Sequence, residues 1–396
     1  MTECQNSKRY IKKLRSRTDV SDMIASGGYA DVYAGTLYDR PQSLIEKAGL
    51  GALFSAQSRQ ALAGVIIKEL RRLTVDETFR RSTQFAVSRK ENAAAGLSVL
   101  WTLNRLEEEA RAQGTNPTER RRFVRVLTAS DLTEDEQLKL PEDLRGYPAI
   151  DIGTPLYEQP FYMMEQINGT NAEDTRNDLS MDEKNSIAGQ IVDMAVFLQD
   201  YDIVHGDYKL SNFMLERTDD GYHVVMIDPI DEIEIIQQTY TGADGEEKKR
   251  KLRSRRNMLT GTHGYLTPEA RFRLFHYSDA TPAYVRAIAE RLPGFTETET
   301  TDFALIADRY AIFASIFRLF TGEYVSPAPD GDDPTGERTR DFLIDEYSYN
   351  EWLNSKLAAA VGLGKLTQPQ AELLFAGLQH SRSKRVPLEG AKAIWQ

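Results

Sequence analysis

The chain has almost no cysteine, no long apolar run and no surplus of positive charge. Its single cysteine, Cys4, excludes an internal disulfide and any zinc site built from several cysteines. No apolar run approaches the roughly 20 residues that a membrane-spanning helix needs, and residues 1–10 are polar, unlike a signal peptide. We therefore expect a cytoplasmic protein that makes no membrane contact.

The net charge of −11 argues against nucleic-acid binding, because proteins that grip a phosphate backbone carry a basic footprint. One local exception is the basic strip, residues 248–256, which carries seven positive charges in nine positions. The pattern is typical of a solvated loop, but a docking strip for an acidic partner or a regulatory site fits it as well.

At 396 residues the chain can form two sizeable domains, each with its own core. Its patterning is rich in strands first and in helices later, and this change predicts a boundary near residue 167. Strands are predicted at 20–37 (strand, turn, strand), 65–68, 147–153 and 161–167. Helices are predicted at 181–200, with Ser180 as N-cap, and at 303–320 and 369–379.

Residues 205–215 (HGDYKLSNFML) carry the most specific chemistry in the sequence. They place Asp207, Lys209 and Asn212 at spacings of two and three, just before an apolar run. Phosphoryl transfer needs such a set: a carboxylate to orient the attacking hydroxyl, a cation to balance the moving phosphoryl group, and an oxygen donor for Mg²⁺. A second apolar run, 224–227, then delivers another carboxylate, Asp228. The alternative is a chance HGD sequence in a surface loop.

Further motifs surround this stretch in a fixed order. A small-residue turn at Gly27 and Gly28 precedes Lys68, which closes the apolar run 65–67. Residues 261–269 (GTHGYLTPE) follow later and match the pattern G-T-x-x-Y-x-x-P-E. Together these motifs resemble those of the eukaryotic-type protein kinase domain, over roughly residues 20–390.

The resemblance implies a bilobal α+β fold with ATP and Mg²⁺ as cofactors. Residues 20–167 would form the small lobe, with a twisted antiparallel sheet and helical insertions at about 39–62 and 100–145. A short amphipathic helix is predicted within 39–62. The insertions serve either as a partner surface or as padding. Residues 168–396 would form the mainly helical large lobe, including a long activation segment at 228–269.

The resemblance also assigns a role to individual residues. In the catalytic set, Asp207 would position the substrate hydroxyl, with Lys209 and Thr262 beside it, and Asn212 and Asp228 would hold the metal. Nucleotide binding would fall to Gly27, Gly28, Val32, Lys68, Met164 and the backbones of Glu165 and Ile167. Glu91 would pair with Lys68, with Glu107, Glu108 and Glu109 as rivals. Glu269, Asp308 and Arg385 would be structural, with Glu269 paired to Arg385 and Asp308 bracing the catalytic loop.

Several positions depart from the family's pattern. Gly206 stands where the family has the arginine that grips a phosphorylated activation loop, so we expect no phospho-switch of that kind. Pro229 fixes its own φ, and together with Ile230 it replaces the rest of the D-F-G motif. Hydroxyls that could be autophosphorylated are Thr239, Tyr240, Thr241, Ser254 and Thr260.

Three functions are therefore open. The resemblance favours ATP-dependent phosphorylation of serine and threonine in protein substrates. The H-G-D sequence around Gly206 also occurs in small-molecule phosphotransferases of the aminoglycoside or sugar kinase type. The altered glycine turn at Gly27 is compatible with a pseudokinase scaffold.

Overall fold

The computed structural model divides the chain into two compact units, Met1–Asn168 and Gly169–Gln396. In the first unit it describes residues 18–26, 30–38, 61–70, 103–104, 106–107, 110–112, 121–125 and 161–168. In the second it describes residues 169–200, 203–227, 234–235, 237–241, 247–251, 262–269, 271, 300–325 and 345–395. The fold is mixed α+β, with small antiparallel sheets and several helices.

The described residues of the first unit include an antiparallel sheet of four strands. Its strands pair in chain order: β1 (Thr18–Ser26), β2 (Ala30–Tyr38), β3 (Ala61–Leu70) and β4 (Phe161–Glu165). The β-branched run 65–67 favours an extended backbone, and Val65 and Ile67 are buried. The two strands predicted on either side of Gly27 and Gly28 are confirmed, whereas residues 27–29 between them and the strand predicted at 147–153 lie outside the described residues. Strand β3 is longer than expected, since it begins at Ala61 and continues past Lys68.

The strand register brings several of the predicted nucleotide-binding residues onto neighbouring strands. Val32 of β2 lies opposite Lys68 of β3, and Met164 of β4 lies opposite Ile66. Because positions alternate between the two faces of a strand, backbone positions 32, 68 and 164 belong to the same face of the sheet.

The second unit contains a three-stranded sheet and two separate strand pairs. The sheet has the order β5 (Gly169–Asn171), β7 (Phe213–Thr218), β8 (Gly221–Met226), and β6 (Ile203–Val204) pairs with β9 (Glu234–Ile235). The other pair is β10 (Gln237–Thr241) with β11 (Glu247–Lys251). The positions 248–251 of the basic strip therefore form a strand rather than the loop typical of their charge, and 252–256 lie outside the described residues.

Six helices complete the described part of the second unit. They are α1 (Ala172–Thr175), α2 (Met181–Asp200), α3 (Thr300–Thr321), α4 (Glu346–Gly362), α5 (Gln368–Gly377) and α6 (Lys392–Trp395). The three helices predicted in this unit are confirmed to within three residues at either end, and the helix predicted within 39–62 falls on a stretch of which only 61 and 62 are described. None of the helices among the described residues combines the length and the apolar character that crossing a membrane requires.

Helix α2 begins where the sequence predicts it to begin. The Ser180 hydroxyl accepts the Glu183 N–H at 3.2 Å, and the Glu183 carboxylate accepts the Ser180 N–H at 2.8 Å. This reciprocal capping box satisfies two N–H groups that have no partner inside the helix. The buried residues Ile187, Ile191 and Leu198 then recur at helical spacing along one face.

Helix α3 is the central element of the second unit's core. Its middle is apolar nearly all round, and Phe313, Phe317 and Phe320 are all buried there. Such a helix can only be stable when other elements cover every side. Helix α2 packs on it, the Trp395 ring of α6 lies 5.1 Å from the Phe320 ring, and α5 approaches it closely at Gly377.

The close contact between Gly377 and Phe313 predicts that adding one methyl group at position 377 lowers the stability of the protein. A Cβ atom at Gly377 would lie 2.2 Å from Cδ2 of Phe313, far inside van der Waals contact. We expect Gly377→Ala to lower the free energy of unfolding by about 1–3 kcal/mol, as overpacking of a full core does. The measurement is urea denaturation.

Gly362→Ala is the matched control, because this glycine also ends a helix but a Cβ atom there would have nothing within 4 Å. Its stability should stay the same or rise slightly, since alanine is the better helix former. Equal stability of the two variants would contradict the packing argument.

Candidate active site

The 205–212 loop is held in place by a carboxylate from α3. It leaves β6 at His205 and ends in a 3₁₀ turn, Leu210–Asn212, before β7. The backbone N–H groups of His205 and Gly206 donate to the two carboxylate oxygens of Asp308, at 2.6 and 2.8 Å. The bracing contact expected of Asp308 is thus present.

Gly206 has a backbone conformation that explains its identity. Its φ is +83°, in the left-handed region where residues with a Cβ atom are strained. An arginine, which the family resemblance leads one to expect here, would have to adopt this conformation or move the loop. The glycine therefore lets its own N–H group and that of His205 both reach Asp308.

Asp207 is buried, and its carboxylate has three described hydrogen-bond donors. The Thr262 N–H and hydroxyl donate to Oδ1 at 2.7 and 2.8 Å, and the Lys209 ammonium donates to Oδ2. The Asp207 N–H donates to Nδ1 of His205 at 3.1 Å, so that this nitrogen carries no proton. These contacts fix the carboxylate in one orientation.

The protonation state of Asp207 follows from opposing effects. Burial acts to raise its pKa, but the charge and hydrogen bond of Lys209 and the hydrogen bond of Thr262 outweigh it, so the pKa lies below the usual aspartate value. Lys209 also donates to the Thr262 hydroxyl at 3.1 Å. Asp207, Lys209 and Thr262 therefore form a closed group around an ionised carboxylate, as expected from the sequence.

The side-chain amide of Asn212 is held in one orientation by a hydrogen bond to the backbone of Asp207. Its Nδ2 donates to the Asp207 carbonyl at 2.9 Å, which leaves Oδ1 as the side-chain atom that could face a cation. The Asn212 carbonyl accepts the N–H of Ile227, the residue before Asp228. Asp228 itself lies outside the described residues, among which no group of three or more His, Cys, Asp and Glu side chains forms a metal site.

The segment after Thr262 is anchored by a buried ion pair. Arg385 Nη1 and Nη2 each lie 2.7 Å from a carboxylate oxygen of Glu269, so the predicted pair is confirmed. Burial acts to raise the pKa of Glu269, but the Arg385 guanidinium outweighs it and lowers the pKa. This bidentate geometry gives the pair a fixed orientation, which suits a structural role.

All the predicted nucleotide-binding residues belong to the first unit. Three of them, Gly27, Gly28 and Glu91, lie outside the described residues. Met164 and Ile167 are buried, and Val32 is half-buried. The Glu165 N–H donates to the Arg125 carbonyl at 3.0 Å, and the Glu165 carboxylate accepts the Arg125 N–H at 2.8 Å, so Glu165 is tied to the 121–125 segment.

Glu107, one of the rivals to Glu91, contacts Arg122, whereas the Lys68 side chain lies outside what the structure describes. Its buried carboxylate accepts the Arg122 N–H at 2.7 Å and lies 3.8 Å from the Arg122 guanidinium. Burial raises the pKa of Glu107 to about 7, because the low-polarity surroundings disfavour the charged form. This side chain is accordingly protonated over much of the pH range.

Sequence reasoning missed four residues that support the site. Asn171 Nδ2 donates to the Ser211 carbonyl within the 205–212 loop, at 2.7 Å. Glu173 bonds to Tyr265 and to Arg318, and the Arg318 guanidinium stacks on Tyr324. The hydrogen bonds among these contacts join residues 40–145 positions apart, so no local pattern in the sequence could have indicated them.

No protein-family model matches this sequence, and no curated protein matches it either.

Replacement of Asp308 tests the anchoring of the 205–212 loop. An amide keeps the size of the side chain but presents Nδ2 to one of the two backbone N–H donors. We expect Asp308→Asn to lower the free energy of unfolding by about 1–3 kcal/mol, the usual cost of a buried donor left without its acceptor. Urea denaturation measures it, with Asp219→Asn in the exposed β7–β8 turn as control; equal stability would contradict the anchoring role.

The pKa of Glu107 predicts a pH dependence of stability. Because the folded-state pKa is raised to about 7, protonated Glu107 favours folding below the ordinary glutamate pKa, and this contribution is lost as pH rises through about 7. We expect the wild type to lose on the order of 3 kcal/mol relative to Glu107→Gln between pH 4 and 8.

Denaturation curves of both proteins across that pH range measure the difference. Glu351→Gln, at an exposed position of α4, is the control and should follow the wild type. Parallel curves for wild type and Glu107→Gln would refute the raised pKa.

Proposed function

We propose that this chain is a serine/threonine protein kinase, a divergent member of the eukaryotic-type family, which transfers the γ-phosphoryl group of ATP to protein hydroxyls. The observation that carries the proposal is the group formed by Asp207, Lys209 and Thr262. Thr262 is 55 positions from Asp207 in the sequence, yet it donates two hydrogen bonds to the Asp207 carboxylate.

Asp207 is the residue proposed to orient the substrate hydroxyl and accept its proton. A carboxylate offers about four acceptor positions, and the described contacts of Asp207 use three. Its lowered pKa keeps it ionised at neutral pH. Its side chain and that of Lys209 remain 11% and 23% exposed, so a substrate hydroxyl can approach.

Lys209 and Asn212 have complementary roles in this proposal. The Lys209 ammonium would offset negative charge on the phosphoryl group while it moves, and Thr262 keeps the lysine beside Asp207. Asn212 Oδ1, with Asp228, would hold Mg²⁺. When bound, Mg²⁺ and ATP supply the phosphoryl group and neutralise the charge on its oxygens.

The first unit is proposed as the small, sheet-containing lobe of a bilobal kinase fold, and the mainly helical second unit as the large lobe. The strand register assigns positions 32, 68 and 164 to one face of the sheet, and adenine and phosphate recognition would require this arrangement. The contributions of Gly27, Gly28 and Glu91 remain predictions.

A small-molecule phosphotransferase is the second candidate, and one observation favours it. Gly206, with its positive φ, makes the loop H-G-D rather than H-R-D. The acceptor distinguishes the two functions, since such an enzyme would phosphorylate a free aminoglycoside or sugar and leave proteins unlabelled.

The decisive change for the proposal is Asp207→Asn, assayed with γ-labelled ATP, Mg²⁺ and protein acceptors. We expect it to lower the rate of phosphate transfer about 10²- to 10⁴-fold, the range for a lost general base. Asp219→Asn, at an exposed turn, should retain the wild-type rate. Intact mass and peptide mapping identify the phosphorylated residues.

Phosphate on serine or threonine with wild type alone would support a protein kinase. Near-full turnover by Asp207→Asn would refute the role of Asp207. ATP binding without transfer to any protein or small-molecule acceptor would instead indicate a scaffold.

A further inference from the structure

The 262–265 turn, residues Thr262–Tyr265, is held at its far end by a carboxylate outside the catalytic group. The Tyr265 N–H donates to the Thr262 carbonyl at 2.9 Å, closing the turn. The Tyr265 hydroxyl lies 3.3 Å from Oε2 of Glu173, in α1. Burial raises the pKa of Tyr265, so this hydroxyl keeps its proton and is the donor.

Arg318 fixes Glu173 with two of its nitrogen atoms. Nη2 and Nε lie 2.6 and 3.1 Å from Oε1 of Glu173, and Nη1 donates to the Gly322 carbonyl. Arg318 thus binds a carboxylate and a carbonyl with a single planar group. The fork geometry of arginine allows this, whereas the point charge of lysine does not.

The same guanidinium also supports the ring of Tyr324. Its central carbon lies 4.0 Å from the ring centroid, a stacked cation–π contact. The ring in turn lies against Gly264, where a Cβ atom would come within 2.3 Å of Cδ1, and meets Tyr265 edge-on at 5.7 Å. Because Tyr324 is 43% exposed, burial alone does not fix its position.

Arg318 therefore reaches the 262–265 turn by two routes, through Glu173 to Tyr265 and through Tyr324 to Gly264. We propose that Arg318 is a positioning residue: it holds this turn so that Thr262 stays on the carboxylate of Asp207. The catalytic consequence rests on the proposed function, whereas the mechanical link between Arg318 and the turn does not.

Arg318→Gln, with Arg176→Gln as matched control, tests this link. Arg176 also pairs with Glu173, Nη1 to Oε1 at 3.0 Å, but its described contacts do not include Gly322 or Tyr324. Hydrogen exchange measured on peptides covering 262–267 reports the turn directly. We expect exchange at the Thr262 and Tyr265 amides to accelerate about tenfold in Arg318→Gln and to stay near wild type in Arg176→Gln.

Kinetics provide a second and independent readout. We expect Arg318→Gln to lower kcat about 10- to 100-fold with KM for ATP unchanged, because misplacement of a reacting group acts on the chemical step. In a Thr262→Ala background the same substitution should cause a smaller further loss than in the wild type, since the hydroxyl bond to Asp207 is already gone and only the N–H bond can still be misplaced. Tyr324→Leu, which removes the stacking but no charge, should give the same pattern with a smaller effect.

Unchanged exchange in Arg318→Gln, or losses that simply add to those of Thr262→Ala, would overturn the proposal and leave Arg318 as support for the end of α3. Arg318→Lys covers the case in which the glutamine variant does not fold: faster exchange would support the proposal and wild-type exchange would overturn it. If the wild type transfers no phosphate, the exchange data still decide the role of Arg318, while the proposed function fails separately.

Discussion

Asp308 is buried on the central helix α3. Its carboxylate fixes the backbone of the 205–212 loop by accepting hydrogen bonds from the N–H groups of His205 and Gly206. Two backbone donors would be costly to bury without an acceptor. Asp308 provides one charged acceptor for both, and Gly206 supplies the positive φ that this geometry needs. The orientation of the next residue, Asp207, depends on this arrangement.

Helix α3 serves the site at two places with side chains of opposite charge. Asp308 holds the loop that carries Asp207, and Arg318, about 15 Å further along the helix axis, holds Glu173 and Tyr324 beside the turn that carries Thr262. The apolar middle of the helix is locked into the core by its phenylalanines. Loop and turn are therefore positioned by one rigid element, which suits a site that needs sub-ångström placement.

The sequence predicted the parts of this protein that depend on short spacings. Periodicity found α2 with its Ser180 cap, and the spacing of Asp207, Lys209 and Asn212 found the loop. The resemblance to a known family supplied three long-range contacts: Thr262 on Asp207, Asp308 on the loop, and Glu269 with Arg385. The contacts around Glu173 had no such guide, because their partners become neighbours only after the core has packed. The strand at 248–251 was missed because backbone pairing outweighed the preference of charged residues for loops.

The pair between Glu269 and Arg385 joins residues 116 positions apart with two 2.7 Å contacts. Because this ion pair fixes both ends of the chain between residues 269 and 385, the length of that chain has little effect on the site. The entropy of closing a loop grows only with the logarithm of its length, about 0.6 kcal/mol for each doubling. Natural selection can therefore lengthen or shorten a connection between residues 269 and 385 while Thr262 and Asp207 keep their distance, which makes this stretch a place where new surfaces can arise at little cost in stability.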